Sequence, residues 1–217
     1  MPSDADHDAH RARPPAARAT TPATMPALGW MPLPRGARAE PLARAWLAER
    51  VGIAADALPL ARDARNRPRL HGELGGLDVN WSHSGGWLLL AYARGVRVGV
   101  DVESLARARP RVLELAARWF HADEHAALAA LPPDARQHAF LRLWCAKEAV
   151  LKAHGAGLAF GLHRLRFDGA SRLVACDAAL GDAASWRVDA FEPAPGFVAA
   201  CAVQARATAA VFDDAAR

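Results

Sequence analysis

The chain has 217 residues, of which 52% are hydrophobic, and its formal net charge is +4 at pH 7. This length is enough for one sizeable domain or two small packed lobes with a real core. The positive excess suits an anionic ligand or an acidic protein partner, but it is too small and too dispersed to predict nucleic-acid binding. The sequence has no run of about 18 apolar residues, and its N-terminus lacks the apolar stretch of a signal peptide. We therefore expect no membrane span.

Cysteine and lysine are both used sparingly. The three cysteines, Cys145, Cys176 and Cys201, are odd in number and show no CxxC spacing, so the sequence predicts neither a disulfide framework nor a zinc site. This usage is typical of the reducing cytoplasm. Lysine occurs only at Lys147 and Lys152, although Lys and Arg together number 27. Because lysine offers a compact, mobile charge and arginine a rigid fork, the two lysines indicate a site that needs an ammonium group.

The chain is predicted to begin with an extension, a strand, a helix and an arginine-rich loop. Residues 1–26 lack periodicity and are predicted to be disordered or to be an over-long predicted start, with Met25 as the alternative initiator. Residues 29–34 are predicted to form a strand, and residues 41–51 an amphipathic helix that stops near Gly52. The polar loop at residues 62–69 contains four arginines, which are compatible with a solvated surface and with a phosphate site.

A polar segment ends the next predicted strand. Val79 and Trp81 enter a strand that ends in Ser82-His83-Ser84 and two glycines. Small hydroxyl residues, a histidine and glycines allow donors to approach a phosphate closely. Taken alone, the segment fits a plain Ser/Gly turn better.

The following two strands are predicted to form a hairpin that carries two adjacent carboxylates. Residues 87–93 are a continuous apolar run, Arg94-Gly95 is a two-residue turn, and the residues after the turn alternate strictly. The alternating residues predicted to face the core are Val96, Val98, Val100 and Val102. Asp101 and Glu103 therefore share the opposite face, where two carboxylates repel each other unless a cation lies between them.

Three helices and a set of short strands complete the chain. The predicted helix starts are Pro110, Ala122 or Asp123, and a capping Asp134. The third helix is predicted to end at Gly155. On one face of it, Glu148 and Lys152 lie four residues apart, so a carboxylate and an ammonium group point the same way. Four strands between residues 162 and 203 are predicted to form an antiparallel meander.

Three carboxylates from two elements, Asp101, Glu103 and Glu148, are the predicted metal ligands. Carboxylate oxygens, with other positions left to water and phosphate, are the donors that Mg²⁺ prefers, and no Cys/His set competes for a softer metal. Such a metal implies a phosphate-bearing substrate. The residues predicted to bind its other phosphate oxygens are Arg67, Ser82, His83 and Lys152.

Residues 80–85, 98–103 and 144–152 together resemble the Sfp-type 4'-phosphopantetheinyl transferases. They read Asn-Trp-Ser-His-Ser-Gly, Val-Gly-Val-Asp-Val-Glu and Trp-Cys-Ala-Lys-Glu-Ala-Val-Leu-Lys, in the order and roughly at the spacing of that family. The resemblance covers about residues 38–203. The Trp-x-x-Lys-Glu-Ala form is more similar to family branches linked to fatty-acid and polyketide carriers than to those linked to siderophore peptides.

The resemblance implies transfer of the phosphopantetheine arm of coenzyme A, the co-substrate, to a serine hydroxyl of an apo acyl or peptidyl carrier protein. Adenosine 3',5'-bisphosphate would be released. Asp101, Glu103 and Glu148 would hold Mg²⁺, with Mn²⁺ as the alternative, against the coenzyme A pyrophosphate. Lys152 would act as a catalytic residue on the phosphates, and Glu148 or a water on the metal would take the serine proton.

The other phosphate contacts also come from the resemblance. Ser82 and His83 would bind near the pyrophosphate and the 3'-phosphate. Arg67-Pro68 is similar to the Gly-Lys-Pro segment of the family, with Arg in place of Lys and Asn66 in place of Gly. This departure makes Arg67 the predicted coenzyme A contact that differs most from the family pattern.

The implied fold class is α+β, a pseudo-twofold pair of similar α+β halves in one chain with the cofactor between them. The predicted boundaries are 1–26 for the extension, 27–106 for the N-terminal half, 107–205 for the C-terminal half and 206–217 for a tail. We expect a cytoplasmic monomer that acts on an acidic carrier protein and has no nucleic-acid or membrane partner.

Two other function classes stay open. One is a non-catalytic protein that binds coenzyme A or a nucleotide, against which the carboxylate trio argues because binding alone does not require a charged metal cage. The other is a basic module for nucleic acid, supported only by the loop at residues 62–69. A steep salt dependence of DNA binding would favour it.

Overall fold

The computed structural model describes residues 25–169 and 171–205, which form two successive sets of elements. The first set is β1 (Ala27–Pro32), α1 (Ala39–Val51), β2 (Leu60–Arg62), β3 (Pro68–Leu70), β4 (Leu77–Ser84) and β5 (Trp87–Arg94). The second set is β6 (Val96–Ser104), α2 (Val112–Trp119), α3 (Ala122–Ala130), α4 (Pro133–His154), β7 (Leu165–Phe167), β8 (Leu173–Cys176), β9 (Trp186–Phe191) and β10 (Phe197–Ala205). Residues 1–24 of the predicted extension and the predicted tail at 206–217 lie outside the described residues.

The two sets repeat one topology. Each begins with a strand and reaches a long helix, then a short two-stranded hairpin, then two more strands. In each antiparallel sheet the last strand lies in the middle, in the orders β1-β5-β4 and β6-β10-β9. The predicted α+β class with two similar halves is therefore confirmed. Helices α2 and α3 are an addition to the second set, between its first strand and its long helix.

The predicted hairpin between residues 87–93 and the strand after Gly95 is wrong. β5 pairs with β1 and β4, whereas β6 pairs with β10 in the other sheet. Gly95, at φ 74°, is the single residue between β5 and β6 and lets the chain pass from one sheet to the next. By strand pairing the halves divide at Gly95, and we propose this boundary in place of one after residue 106.

Burial on both faces explains why strand pairing could not be read from alternation. The apolar run of β5 sends Leu88 and Leu90 to a core under α1, and Leu89 and Ala91 to a core between the two sheets. The second core also contains the four predicted valines of β6, as expected. The third core lies between α4 and the second sheet, so β6 is covered on both faces.

Three further predictions are corrected by the structure. The arginine-rich loop is a hairpin, because β2 and β3 pair across it from Leu60–Leu70 to Arg62–Pro68. Helix α4 begins at Pro133, so Asp134 lies in its first turn and does not cap it. The C-terminal strands are two separate pairs, β7 with β8 and β9 with β10, and not one meander. Strands of three or four residues carry too little periodicity to predict their partners.

Other predicted elements are confirmed to within a few residues. The first strand, the helix that stops at Gly52, and the helix that ends at Gly155 are present, and both glycines have left-handed backbone conformations. Among the described helices, none is long and apolar enough to cross a bilayer.

Candidate active site

A carboxylate, an ammonium group and a hydroxyl from three different elements meet at Asp101. Its Oδ1 atom accepts hydrogen bonds from Ser82 Oγ on β4 and from Lys152 Nζ on α4, each at 2.7 Å. Lys152 Nζ also donates to Ser82 Oγ at 2.9 Å. The carboxylate of Asp101 is buried, and its Oδ2 atom has no hydrogen-bond partner within the described part of the chain. The structure thus brings together three predicted site residues and leaves one buried oxygen without a partner.

Gly99 determines how closely α4 approaches Asp101. A Cβ atom at this position of β6 would lie 2.1 Å from the carbonyl oxygen of Ala149 and 2.4 Å from the backbone nitrogen of Ala153. Only glycine therefore fits beneath the helix. The close approach carries Glu148 and Lys152, on the last turns of α4, to the acidic face of β6.

Glu148 is the third member of the predicted carboxylate set and lies in the same electrostatic environment. Its side chain is 7% exposed. Its pKa is raised to about 7, chiefly by burial and then by the negative charge of Asp101; Lys152 lowers this pKa and Glu103 raises it. The same surroundings raise the pKa of the neighbouring Cys145 thiol well above its ordinary value, chiefly through burial and then through Asp101. Cys145 is therefore not an activated nucleophile.

Glu103 is engaged by a residue that the sequence did not predict. Its Oε2 atom accepts a hydrogen bond from an Arg109 guanidinium nitrogen at 2.9 Å and a longer one from Ser84 Oγ at 3.3 Å. Across residues 25–169 and 171–205, no group of three or more Asp, Glu, His or Cys side chains has an arrangement that could hold a metal ion. Asp101, Glu103 and Glu148 influence one another electrostatically, and their shared role as metal ligands stays a prediction.

A row of side chains joins the two halves next to the site. β4 and β6 belong to different sheets, yet alternate side chains of β4 accept hydrogen bonds from backbone N–H groups of β6. The bonds are Val98 N to Asp78 Oδ2 at 2.8 Å, Val100 N to Asn80 Oδ1 at 2.9 Å and Ser104 N to Ser84 Oγ at 3.1 Å. Ser82 continues the row through the side chain of Asp101. We call this row the seam. The polar alternation at positions 78, 80, 82 and 84 of a buried strand is the signal that could have predicted it.

Arg67 lies beneath the seam and is almost completely buried, at 4% exposure. One terminal nitrogen donates to the Lys152 carbonyl oxygen at 2.7 Å, and the other donates to the Val98 carbonyl oxygen at 2.9 Å and to the Asp78 carboxylate. Both terminal nitrogens of the guanidinium are therefore bound to protein acceptors, and its buried Nε atom has no partner among the described residues. Its contact with coenzyme A stays a prediction.

His83 is not brought to the Asp101 cluster. It is exposed, and strand alternation places it on the opposite side of β4 from Ser82. Its predicted contact with coenzyme A is untested by this arrangement.

A basic groove of about 220 Å³ opens beside Lys152. Its lining residues are Arg62, Arg65, Asn66, Arg67, Pro68, Asn80, Trp81, Leu151, Lys152, Gly155 and Gly157. The Arg62 guanidinium lies 5.1 Å from the centre of the Trp81 ring and also binds Glu40. A larger cavity of about 590 Å³ lies elsewhere, between α3, α4 and the β7–β8 hairpin, and is lined by neither Asp101 nor Lys152. The larger cavity is thus separate from the Asp101 cluster. The basic groove is the better candidate for a phosphate site, because arginines and Lys152 line it.

Only one of the two lysines belongs to this site. Lys147 is fully buried in the core under α4, where it binds Glu124 at 2.7 Å and the carbonyl oxygens of Leu162 and Leu165. The interpretation that both lysines indicate one site needing an ammonium group therefore applies in the structure to Lys152 alone, because Lys147 lies in the core.

Comparison with known proteins agrees with the motifs. Residues 97–202 match the family model of the 4'-phosphopantetheinyl transferase superfamily. The segment starts at β6 and includes Asp101, Glu148 and Lys152. This segment of the chain is similar to the 4'-phosphopantetheinyl transferase superfamily.

Curated members of the superfamily share about a third of their aligned residues with this chain. The 4'-phosphopantetheinyl transferase psf-1 of Bacillus pumilus is 38% identical over 43% of this chain and 40% of its own length. Sfp of Bacillus subtilis is 36% identical over 42% of this chain and 40% of its own length. AcpT of Escherichia coli is 34% identical over 57% of this chain and 66% of its own length. The matched part of the chain thus spans less than half the length of the first two relatives.

Proposed function

We propose that the chain transfers the 4'-phosphopantetheine group of coenzyme A to a serine of an apo acyl or peptidyl carrier protein and releases adenosine 3',5'-bisphosphate. The observation that carries the proposal is the convergence of Lys152, Ser82 and Asp101 at the seam, beside a Glu148 whose pKa is raised to about 7. The similarity of residues 97–202 to the superfamily supports the reaction class. The carrier would belong to fatty-acid, polyketide or non-ribosomal peptide synthesis.

The donor chemistry of Asp101, Glu103 and Glu148 fits a divalent cation. The Oδ2 atom of Asp101 is buried without a partner in the described residues, and repulsion between carboxylates contributes to the raised pKa of Glu148. A cation held by the three carboxylates would pair that oxygen and relieve the repulsion. Oxygen-only donors favour Mg²⁺, with Mn²⁺ as the alternative. When bound, Mg²⁺ would neutralise negative charge on the pyrophosphate of coenzyme A.

The protein's own groups would position the reactants. The Lys152 ammonium is partly exposed, so it can bind a phosphate oxygen while it stays next to Asp101. In the transfer, the serine oxygen bonds to the phosphorus that carries pantetheine, the bond from that phosphorus to the bridging pyrophosphate oxygen breaks, and a base takes the serine proton. If Glu148 does not ligate the metal, it fits this base role, because its pKa in the metal-free protein is raised to about 7 and matches neutral pH.

Ligation and proton transfer by Glu148 can be distinguished experimentally. We would compare pH–rate profiles of the wild type and Glu148→Gln while measuring Mg²⁺ binding. Loss of the acidic limb of the profile with Mg²⁺ binding intact would support the base role, and loss of Mg²⁺ binding would assign Glu148 to the metal.

Two basic surfaces next to the cluster support the proposed substrates. The groove with Arg62 and Arg65 suits the anionic part of coenzyme A. Beyond Glu103, a second groove of about 480 Å³ is lined by four arginines, Arg107, Arg109, Arg111 and Arg118. Arg109 joins this groove to the cluster through its bond to Glu103. An acidic carrier protein complements such a surface. We also propose a cytoplasmic monomer.

The direct test is intact-protein mass spectrometry of an apo carrier incubated with the chain, coenzyme A and Mg²⁺, with and without a chelator. We expect a mass gain of one phosphopantetheine that the chelator abolishes. Fatty-acid, polyketide and peptide carriers would be compared in parallel. No gain with any carrier, together with intact coenzyme A binding, would favour the non-catalytic coenzyme A or nucleotide-binding protein.

Asp101→Ala and Asp189→Ala form a matched pair for the same assay. Both remove a carboxylate from the second sheet, but Asp189 on β9 is exposed and paired with Arg187. We expect Asp101→Ala to fold and to be inactive, and Asp189→Ala to keep the wild-type rate. A normal rate for Asp101→Ala would overturn the metal assignment.

A further inference from the structure

Arg67 joins three elements that carry the proposed active site. It lies just before β3 in the first half, yet its guanidinium reaches β4 at Asp78, β6 at the Val98 carbonyl and α4 at the Lys152 carbonyl. Asp78 in turn accepts the backbone N–H of Val98 at 2.8 Å. A single planar group with several donors can satisfy acceptors in all three directions, which a lysine ammonium at the same place could not do with the same geometry.

The bond to α4 falls at a position where the helix needs a donor. The last four carbonyl groups of an α-helix have no partner within the helix. The carbonyl of Leu151 is satisfied by the backbone N–H groups of Gly155 and Ala156, whereas that of Lys152 accepts from Arg67 at 2.7 Å. A guanidinium at this end also interacts favourably with the helix dipole. The first half of the protein therefore caps the long helix of the second half.

These contacts form a closed network that includes both the backbone and the side chain of Lys152. From Arg67 the network passes through Asp78 and along β4 to Ser82, whose hydroxyl binds Asp101. From Asp101 it passes to the Lys152 ammonium, and from the Lys152 carbonyl back to Arg67. The backbone of Lys152 and the end of its side chain are thus fixed by two different members of one network.

The neighbouring arginines differ from Arg67 in exposure. Arg62 and Arg65 line the same groove and reach solvent, and the bonds that Arg62 makes, to Glu40 and to the Asn66 carbonyl, are exposed, so a phosphate can reach both arginines at little cost. In Arg67 both terminal nitrogens bind protein acceptors, and the Nε atom is buried without a partner among the described residues. A phosphate that took over the terminal nitrogens would remove a donor from the buried Asp78 carboxylate or from the Lys152 carbonyl at the helix end.

We propose that Arg67 is a positioning residue: it fixes the last turn of α4 against β4 and β6, sets the position of the Lys152 ammonium, and does not bind the phosphates of coenzyme A. The inference rests on the proposed transfer reaction. It replaces the coenzyme A contact predicted for Arg67 from the sequence.

The test compares Arg67→Lys with Arg69→Lys. Arg69 is the matched control because it lies on the same hairpin and shares Asp78, at 3.4 Å, but makes its closer contact with Asp63 and does not line the groove. For Arg67→Lys we expect kcat to fall by about tenfold or more, because small displacements of a catalytic group are costly, with KM for coenzyme A within about twofold of the wild type. Arg69→Lys should keep both constants.

Two further readouts separate positioning from phosphate binding. The ratio of kcat/KM for coenzyme A to that for 3'-dephospho-coenzyme A should be unchanged in Arg67→Lys, and hydrogen exchange at the end of α4 should become faster. A raised KM, a smaller ratio and an unchanged kcat would make Arg67 a phosphate ligand. Unchanged kcat and unchanged exchange would also overturn the proposal.

A second variant covers the case in which Arg67→Lys does not fold. Asp78→Asn keeps an acceptor for the backbone N–H of Val98 but removes the negative charge that pairs with Arg67. We therefore expect the same fall in kcat, with an unchanged KM for coenzyme A. A wild-type kcat would overturn the proposal. If the wild type transfers nothing to any carrier, the proposed function fails on its own. The exchange rates in the last turn of α4 would then still decide whether Arg67 fixes that turn.

Discussion

Helix α4 carries the only two lysines of the chain and places them in two charged clusters of opposite character. Lys147 is completely buried, and its partner Glu124 also accepts the backbone N–H groups of Phe167 and His121. In the other cluster, the side chain of Lys152 is 28% exposed and its partner Asp101 retains a buried oxygen without a hydrogen bond among the described residues. We call the Lys147 cluster complete, because its charged groups are paired within the protein, and the Lys152 cluster incomplete, because one buried carboxylate oxygen has no partner among the described residues.

The difference distinguishes a structural ion pair from a site. A buried charge network stabilises a fold only if its members are satisfied, as they are around Lys147. In the other cluster, Lys152 pairs with Asp101 and Arg109 with Glu103, whereas burial and the nearby negative charges raise the pKa of Glu148 to about 7. Such an arrangement is unfavourable in the protein alone, and the proposed cation and phosphate would make it more favourable.

Breaking the complete cluster should have the largest effect on stability. Lys147→Met removes the cation and leaves the Glu124 carboxylate buried, so we expect the free energy of unfolding to fall by about 3–5 kcal/mol. Denaturant titration followed by circular dichroism measures this change. Lys147→Met with Glu124→Gln should recover much of the loss, because the pair is then replaced by neutral groups. An equal loss in the double variant would mean that packing, and not charge, sets the effect.

Breaking the incomplete cluster should affect activity more than stability. Lys152→Met should lower kcat by about 10²–10³-fold, because a charge that stabilises the transition state is lost. The free energy of unfolding should change by only about 1 kcal/mol, since solvent reaches the Lys152 ammonium. Transfer assays and denaturant titration on the same preparation measure both. A stability loss as large as that of Lys147→Met would make Lys152 a structural residue as well.

The raised pKa of Glu148 predicts an unusual dependence of stability on pH. The folded state keeps this proton up to about pH 7, whereas the unfolded chain loses it near 4.5, so the folded state binds more protons between these values. Without metal, stability should therefore fall as pH rises from 4.5 to 7, by about 3 kcal/mol in total. Denaturant titrations from pH 4.5 to 8 measure the slope. Glu148→Gln should remove it and saturating Mg²⁺ should reduce it; an identical slope in the variant would contradict the assignment.

The smallest expected effect belongs to the hydroxyl that links the two halves. Ser82→Ala removes one hydrogen bond to Asp101 and one from Lys152, which corresponds to about 1 kcal/mol and a several-fold lower kcat. Ser185→Ala is the control, because that hydroxyl belongs to a turn before β9. A loss as large as that of Lys152→Met would show that Ser82 contacts the reacting groups directly.

Motifs within single elements were predictable from the sequence. The spacing of Glu148 and Lys152 on a helix, the shared face of Asp101 and Glu103 on a strand, and the helix end at Gly155 depend only on backbone periodicity. The two similar halves followed from the family resemblance and not from any repeat in the sequence.

Strand partners were not predictable in the same way. Residues 87–93 and the strand after Gly95 look like a hairpin because a short turn separates two apolar segments, but each strand pairs within its own sheet. Both strands are buried on both faces, so neither alternation nor turn length selects the partner.

The sequence by itself determined which residues bear the charges of this protein and along which face of each element they lie. The tertiary structure decided which charges complete one another. It paired Lys147 with Glu124 and Arg109 with Glu103. It also buried Arg67, which donates a hydrogen bond to the Lys152 carbonyl oxygen. These outcomes depend on which elements meet in space. A charged side chain that finds its partner within the protein stabilises the fold, whereas one that lacks such a partner can bind an ion or substrate from solvent.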